Sequence, residues 1–319
     1  MDKKIKTIFM GTPELAAVGL QSLIDDGRFD IVLSITQADK AVGRNLQINK
    51  TPVKILAEKN NIKVIQPLKI KEATEIIEEI KPDLIVVIAY GKIIPKNILE
   101  SPKYGCINVH GSLLPKYRGS ACIQATILNG DPQGGITIMK MDENMDTGDI
   151  IKKISLDLEK EETSKSLMEK IKKISQENLA QTIIDFIEEK IEIEKQDDSL
   201  ATYVKMIKKE DGRLNFNELA EIIERKIRAY FPWPGTFAFI EKEVLPKKEI
   251  LFKILKASEI VDKKENLENG QLVKIGQKIG VSCQNKILVI DQLQLEGKKA
   301  SSSEDFLKGN SWVLGKILK

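Results

Sequence analysis

The chain has 319 residues, of which 42% are hydrophobic and 30% are charged, and its net charge is +3. These values are typical of an ordinary globular protein, and the length suggests two domains, each able to bury its own core. The apolar run Leu84–Tyr90 is too short to cross a bilayer, and the basic N-terminus lacks the apolar core of a signal peptide. We therefore expect a cytoplasmic monomer with no membrane partner.

The first 150 residues alternate short apolar runs with segments of helical spacing. This alternation predicts an α/β fold with a mostly parallel, Rossmann-like sheet that binds ligands near the carboxyl ends of its strands. The predicted strands are Ile5–Met10, Ile31–Thr36, Lys63–Ile65, Asp83–Ala89, Cys106–Val109 and Ile136–Met141. The predicted helices are Glu14–Ile24, Pro52–Asn60, Lys71–Ile80 and Ala121–Asn129.

The first predicted strand runs into Gly11-Thr12-Pro13. Neither G-x-G-x-x-G nor G-K-[ST] is present there, which argues against a dinucleotide dehydrogenase and against a P-loop enzyme. The tripeptide fits a tight turn before a helix and equally fits a ligand contact.

The remainder of the chain predicts a second, smaller domain. Thr163–Glu189 has helical spacing, the charged residues after it resemble a linker, and Leu219–Ala229 forms another predicted helix. Short strands with few helices favour a small β-barrel, similar to an OB fold. These strands are Leu251–Leu255, Gly270–Ile275, Ile279–Ser282 and Ile287–Leu293. We therefore divide the chain into residues 1–190, a linker at 191–205 and a second domain at 206–319.

The two parts of the chain differ in charge. Residues 1–200 contain 28 Lys and Arg against 31 Asp and Glu, whereas residues 201–319 contain 22 against 16. A mildly basic C-terminal part fits an anionic partner such as RNA, and it also fits a lysine-rich solvated surface.

No metal site is predicted. The three cysteines, Cys106, Cys122 and Cys283, lack the C-x₂-C spacing of a zinc site. Because the chain has a single histidine, His110, we interpret the two cysteines that flank it as buried small hydrophobic side chains. The acidic segment DENMDTGDI at 142–150 lacks the glycine and the closing glutamate of a calcium loop.

The histidine lies in INVHGSLLPKYRGS, residues 107–120. Asn108 and His110 are two residues apart on a predicted strand, so their side chains leave the same face. An amide donor and an imidazole could stabilise an oxyanion and move protons during attack on a carbonyl, although a lone histidine is also common as a structural residue. The acidic segment follows the next strand, where it could place a carboxylate against His110 or form a solvated turn.

Two motifs resemble the 10-formyltetrahydrofolate-dependent formyltransferases. They are N-V-H-x-S-L-L-P-x-Y/W-R-G, beginning at Asn108, and M-D-x-x-x-D-T-G-D at 141–149. The resemblance implies that Asn108, His110 and Asp146 form the catalytic set, with no metal. It also implies that the co-substrate 10-formyltetrahydrofolate binds to two segments, Ser112, Leu113, Leu114 and Pro115, and the backbone near Ala89, Tyr90 and Gly91.

Further segments extend the resemblance over nearly the whole chain, towards the family members that act on initiator methionyl-tRNA. These segments are FMGTPE at 9–14, VVIAYG at 86–91, RAYFPWPG at 228–235 and GKK at 297–299. The resemblance implies formyl transfer to the α-amine of that methionine by residues 1–190 and tRNA binding by the C-terminal barrel.

The loop 37–50 resembles the loop that contacts tRNA in those family members. The resemblance implies that Lys40, Arg44 and Lys50 bind tRNA. Leu46-Gln47 replaces the basic pair that is usual after the Gly-Arg of this loop, and fewer charges mean fewer phosphate contacts.

Other activities share parts of this pattern. A glycinamide ribonucleotide formyltransferase would not need residues 205–319, whereas a sugar-nucleotide amine formyltransferase or a formyltetrahydrofolate hydrolase would share the catalytic set. A non-enzymatic RNA-binding protein is disfavoured because Asn108, His110 and Asp146 are all intact.

Overall fold

The computed structural model describes residues 3–42, 47–242, 248–263 and 266–319. In chain order, its strands are β1 (Ile5–Gly11), β2 (Phe29–Ile35), β3 (Lys40–Val42), β4 (Gln47–Asn49), β5 (Val64–Ile65), β6 (Leu84–Ile88), β7 (Cys106–His110), β8 (Arg118–Gly119), β9 (Gln133–Lys140), β10 (Ile150–Asp157), β11 (Tyr203–Val204), β12 (Thr236–Lys242), β13 (Lys248–Asp262), β14 (Leu272–Ile275), β15 (Lys278–Ser282), β16 (Lys286–Leu295) and β17 (Ser301–Ser302).

The helices are α1 (Glu14–Asp26), α2 (Pro52–Lys59), α3 (Thr74–Ile80), α4 (Lys96–Leu99), α5 (Cys122–Leu128), α6 (Ser164–Ile187), α7 (Ala220–Ala229) and α8 (Ser303–Gly309). Short 3₁₀ helices occupy Ile70–Ala73, Asp198–Leu200, Lys209–Gly212 and Ser311–Val313. Within the described ranges, no helix has the length and apolar character needed to cross a membrane.

The chain folds into two compact units. Unit 1 comprises Met1–Cys122, Gln133–Leu156 and Met168–Val204, and unit 2 comprises Ile123–Pro132, Asp157–Leu167 and Lys205–Lys319. Of the predicted linker 191–205, residues 191–204 lie in unit 1, where Ile150 and Glu194 form a β-bridge and β11 pairs with β8.

Unit 1 is built on a seven-stranded sheet in the order β10-β9-β7-β6-β1-β2-β5. The pairs β6–β7, β1–β6, β1–β2 and β2–β5 are parallel, and β7–β9 is antiparallel. Every residue of β6 is buried, as expected for a parallel strand that is covered on both faces of the sheet. The predicted mostly parallel α/β sheet is therefore confirmed.

The carboxyl ends of the central strands meet at one edge of this sheet. Gly11 at the end of β1 pairs with Ile88 at the end of β6, and Asn108 on β7 pairs with Val87. The loop after β6 contacts the segment after β2, because the Tyr90 carbonyl accepts a hydrogen bond of 2.7 Å from Gln37 Nε2. This edge carries Asn108, His110 and the loop 89–91.

Unit 2 contains an antiparallel sheet in the order β12-β13-β16-β15-β14, with β17 paired to β16. Three register shifts between β13 and β16 bend the sheet. Its two edge regions are joined by the C-terminal residues, because Leu318 bridges Ile240 on β12 and Ile317 bridges Gln271 beside β14. The predicted small β-barrel is thus confirmed.

Candidate active site

His110 ends β7, and its side chain is only 7% exposed. Its Nε2 lies 2.9 Å from the Tyr117 carbonyl oxygen, and its Nδ1 lies 3.6 Å from Asp146 Oδ2. A carbonyl oxygen can only accept, so Nε2 carries a proton and donates it. Nδ1 is therefore the nitrogen that gains or loses a proton when the ring titrates.

The surroundings of His110 favour its charged form. Burial lowers the pKa of the ring because the charge loses its hydration, but the Cys122 side chain, a hydrogen-bond partner, acts in the opposite direction. The Asp146 carboxylate and the Tyr117 carbonyl also favour the charged ring, and together these groups raise the pKa of His110 to about 9. At neutral pH, both ring nitrogens thus carry protons.

Asp146 reaches His110 from the acidic loop between β9 and β10. Its backbone adopts a left-handed conformation with φ of 56°, which Asp tolerates better than most residues. Its Oδ2 accepts a hydrogen bond of 2.8 Å from the Gly119 N–H. The Asp142 carboxylate closes the same loop by accepting from the Thr147 hydroxyl at 2.6 Å. The structure therefore brings together the carboxylate and the imidazole that the sequence places on separate segments.

Asn108 lies two residues before His110 on β7 and is half-buried. The alternation of a β-strand places both side chains on one face of the sheet. Among the residues that the structure describes, none forms a hydrogen bond with the Asn108 amide. The amide is therefore available to a substrate atom beside the imidazole.

The segment Ser112–Pro115 is held by hydrogen bonds with Lys116 and Thr137 and by a buried leucine. The Ser112 hydroxyl donates to the Lys116 carbonyl at 2.6 Å, and the Thr137 hydroxyl donates to the Ser112 carbonyl at 2.7 Å. The Leu114 side chain is buried in a cluster with Met139 and Ile150. Ser112 and Leu114 are buried and contact other parts of the protein. The half-buried Leu113 and Pro115 therefore form the more accessible part of this segment.

Ala89, Tyr90 and Gly91 follow β6 at the same edge of the sheet. Ala89 and Gly91 are exposed and have φ of 45° and 77°, whereas the Tyr90 side chain is buried. Burial raises the pKa of Tyr90 to about 12, so its hydroxyl stays protonated. The role of this turn in folate binding stays a prediction.

The three basic residues that were predicted to bind tRNA have different positions. Lys50 is exposed and forms an ion pair of 2.7 Å with Glu58. Lys40 begins β3, and Arg44 lies outside the described residues. Their role in tRNA binding stays a prediction.

Several groups of the site carry no recognisable signal in the sequence. The Tyr117 carbonyl and the Gly119 N–H are backbone groups, so the side chains of these residues do not reveal the roles of the two groups. Cys122 is buried as predicted, and it also contacts His110, which its interpretation as a small hydrophobic side chain missed. Gln196 lies in the segment predicted as a linker, yet its Nε2 donates to the Asp146 carbonyl at 2.8 Å. Across the described ranges, no three His, Cys, Asp or Glu side chains form a group that could hold a metal ion.

The chemistry of this arrangement is that of a donor site for developing negative charge. A charged imidazole and a neutral amide on one strand face can both donate hydrogen bonds to one oxygen. A carboxylate beside the imidazole adds a group that can accept a proton. The arrangement therefore suits transfer of an acyl group between two nucleophiles.

Comparisons with known proteins agree with this chemistry. Residues 3–183 match the family model "Formyl transferase", and residues 206–311 match "Formyl transferase, C-terminal domain". A methionyl-tRNA formyltransferase of Geotalea uraniireducens is 41% identical over 317 residues, covering 98% of each chain. A protein of the same name from Caldanaerobacter subterraneus is 40% identical over 318 residues, covering 99% of this chain and 100% of the relative.

Solved structures support the fold. The N-formyltransferase of Helicobacter canadensis, in complex with folinic acid and dTDP-3-aminofucose, superposes with a TM-score of 0.65 at 21% identity, covering 90% of this chain and 98% of the other. At this identity the likeness concerns the fold alone. Because the family models match most of the chain and the two relatives match nearly all of it, the chain belongs to the formyl transferase family.

Proposed function

We propose that this enzyme transfers the formyl group of 10-formyltetrahydrofolate to the α-amine of methionine esterified to initiator tRNA. The relatives named methionyl-tRNA formyltransferase, which match both units, support this choice of acceptor. The observation that carries the chemistry is the unpartnered Asn108 amide, as far as the described residues extend, beside the charged His110 ring.

The reaction begins with attack of the α-amine nitrogen on the formyl carbon. A free α-amino group titrates near ~7.7–8, so a substantial fraction is neutral and nucleophilic at cytoplasmic pH. The new carbon–nitrogen bond converts the formyl oxygen to an oxyanion. The Asn108 amide and the His110 ring stabilise it by donating hydrogen bonds, and one such donor is typically worth ~3 kcal/mol.

The tetrahedral intermediate collapses when the bond between the formyl carbon and N10 of the folate breaks. N10 must gain a proton and the attacking amine must lose one, so the transfer balances without an external acid. His110 Nδ1–H supplies a proton because Nε2–H is held by the Tyr117 carbonyl. Asp146 beside Nδ1 favours the charged ring. It also helps to return the proton that the amine loses to the His110 ring, directly or through water.

The substrates would be held by separate parts of the chain. The folate would lie against the backbone of residues 89–91 and the segment Ser112–Pro115, at the edge of the sheet that carries His110. The tRNA would be bound by unit 2, helped by Lys40, Arg44 and Lys50 from the loop 37–50. A cytoplasmic monomer that acts before translation initiation fits these substrates, and the chemistry requires no metal.

The proposal is tested by one incubation of the purified full chain with 10-formyltetrahydrofolate and initiator methionyl-tRNA. We expect N-formylmethionyl-tRNA to form with one equivalent of tetrahydrofolate. Parallel reactions contain dTDP-3-aminofucose or no acceptor. Faster formylation of the sugar amine, or release of formate at the same rate without any acceptor, would overturn the proposed acceptor.

A further inference from the structure

Gln196 connects the acidic loop to a buried arginine. Its Nε2 donates to two backbone carbonyls of the loop, those of Asp146 and Gly148, each at 2.8 Å. Its Oε1 accepts from Arg118 Nη2 at 2.8 Å and from Arg118 Nε at 3.1 Å. One neutral side chain thus makes four hydrogen bonds within unit 1.

The orientation of this amide is fixed by its partners. Two carbonyl oxygens can only accept and a guanidinium can only donate, so the nitrogen must face the loop and the oxygen must face Arg118. Arg118 is 1% exposed and is itself held by Asp198 at 2.7 Å and by the Tyr203 hydroxyl at 3.0 Å. The amide of Gln196 therefore faces a buried guanidinium that has hydrogen-bond partners of its own.

The same segment also reaches the other side of the imidazole. The Thr202 hydroxyl accepts from the Tyr117 N–H at 2.8 Å, and the Thr202 carbonyl accepts from the Arg118 N–H at 2.8 Å. Tyr117 supplies the carbonyl that binds His110 Nε2. Residues 196–204 thus contact both groups that flank the ring, the Asp146 loop and the Tyr117 backbone.

We propose that Gln196 is a positioning residue that holds Asp146 against His110 for formyl transfer. Asp146 has a left-handed backbone, and its Oδ2, which accepts from the Gly119 N–H at 2.8 Å, lies 3.6 Å from Nδ1 and so makes no hydrogen bond to the ring. The two hydrogen bonds from Gln196 Nε2 lock the backbone of this residue and of Gly148, and so fix where the carboxylate stands. The catalytic part of this inference rests on the proposed function, whereas the positioning part concerns the folded chain alone.

The single histidine provides a direct readout. In protein free of tag histidines, every histidine ring resonance in an NMR titration belongs to His110. Its charged form is favoured by Asp146 of the loop and Cys122 of α5, and opposed by burial. Gln196→Met keeps the length of the side chain and removes its donors without adding charge. We expect the pKa of His110 to fall below about 9 by the part that Asp146 contributes, while the larger contribution of Cys122 remains.

The kinetics of the same variant test the catalytic part. Because a small displacement of a catalytic group costs up to about 100-fold, we expect kcat to fall by roughly 10- to 100-fold in Gln196→Met. We expect KM for 10-formyltetrahydrofolate to stay the same, since Gln196 does not lie among the residues assigned to the folate.

A second variant separates the two sides of the amide. Gln196→Glu keeps the acceptor for Arg118 but offers no N–H to the Asp146 and Gly148 carbonyls. If Gln196 holds Asp146, this variant stays impaired in kcat. If Gln196 merely supports Arg118, Gln196→Glu keeps the activity that Gln196→Met loses, and the proposal is overturned.

Ser199→Ala is the matched control from the same segment. Among the described residues, its hydroxyl bonds to Asp197 alone, at 2.7 Å within an exposed turn, so kcat and the pKa of His110 should both match those of the unaltered chain. An unchanged pKa of His110 in folded Gln196→Met would overturn the positioning role. A lowered pKa in a chain that never formylates methionyl-tRNA would instead reject the proposed function and leave the positioning role standing.

Discussion

Burial alone would leave His110 neutral. The residue is 6% exposed, and an isolated imidazolium in such a place loses most of its hydration. The Cys122 side chain, the Asp146 carboxylate and the Tyr117 carbonyl outweigh this cost, in that order, so the charged ring is the resting form at neutral pH. The residue is therefore suited to act first as a donor to negative charge and as an acid, and only then as a base.

Asp146→Asn should separate the charge of this residue from its shape. The amide oxygen can still accept from the Gly119 N–H, but the attraction for the charged ring is lost, so the pKa of His110 should fall. We expect formyl transfer to fall on the order of 100-fold or more, as for loss of general acid–base catalysis. Single-turnover formylation and NMR titration of His110 measure the two effects.

Asp142→Asn is the control for this variant, because Asp142 lies in the same loop and bonds to Thr147 instead of facing His110. A comparable loss of activity in both variants would mean that loop stability, and not the charge beside Nδ1, is what matters.

Asn108→Ala should remove a donor to the oxyanion without altering the fold of β7. The side chain has no hydrogen-bond partner in the described part of the protein, so its loss leaves no protein group unsatisfied. We expect kcat to fall on the order of 100- to 1,000-fold with little change in KM for either substrate. Steady-state kinetics with each substrate varied in turn make the measurement. A rise in KM alone would assign Asn108 to substrate binding.

At the scale of elements, hydrophobic patterning predicts the centre of unit 1 well. The centres of β1, β2, β6, β7 and β9 are rich in apolar residues that the sheet buries, and each was predicted. β10 was missed because two consecutive exposed lysines, Lys152 and Lys153, interrupt its apolar pattern. In unit 2, β12 was missed and β13 extends from Lys248 to Asp262, far beyond its predicted apolar centre, because its bulged pairing with β16 interrupts regular alternation.

Only part of the candidate site could be predicted from the sequence. The spacing of two along β7 predicts that Asn108 and His110 share a face, because that follows from strand geometry alone. The support of Asp146 could not be predicted, since it depends on a backbone N–H at Gly119 and on Gln196, fifty positions further along the chain. Such contacts are tertiary and leave no local pattern.

The short pair β8–β11 offers a test of this support. Gly119 has φ of 114°, and a Cβ there would lie 2.2 Å from the Val204 carbonyl oxygen. Gly119→Ala should therefore push β11 away, disturb the N–H that binds Asp146, and destabilise unit 1 by roughly 1–3 kcal/mol. Urea unfolding followed by far-UV circular dichroism gives the stability, and formyl transfer should fall with it.

Gly27→Ala serves as the control, because Gly27 also has a positive φ of 74° but no atom within 4 Å of the added Cβ. It should cost stability through backbone strain alone and leave the turnover of the folded enzyme intact. Loss of activity in both variants would show that strain anywhere in unit 1 impairs the enzyme.

At the scale of the whole molecule, charge is distributed unevenly. Residues 201–319 carry 22 Lys and Arg against 16 Asp and Glu, and several of these cations already form ion pairs, as between Lys226 and Glu218 at 2.5 Å. We therefore expect a modest number of phosphate contacts.

Raising NaCl from about 50 to about 200 mM should increase KM for methionyl-tRNA by roughly 10- to 100-fold. KM for 10-formyltetrahydrofolate, measured in the same series, should change much less, and equal salt dependence of the two constants would contradict electrostatic binding of the tRNA.

The charged histidine should also make the stability of unit 1 depend on pH. The pKa of His110 is about 9 in the folded chain and near 6.5 when unfolded, so the folded state binds the extra proton between these values. The contribution of this proton to the free energy of unfolding is then fully present below about pH 6.5 and is lost as pH rises through about 9. The limit of this loss is on the order of 3 kcal/mol. Urea unfolding at several pH values, followed by far-UV circular dichroism, measures this loss. Both tryptophans, Trp233 and Trp312, belong to unit 2, so their fluorescence reports that unit separately. In Asp146→Asn the loss at high pH should be smaller, and an identical pH profile in both proteins would show that Asp146 does not hold the proton on His110.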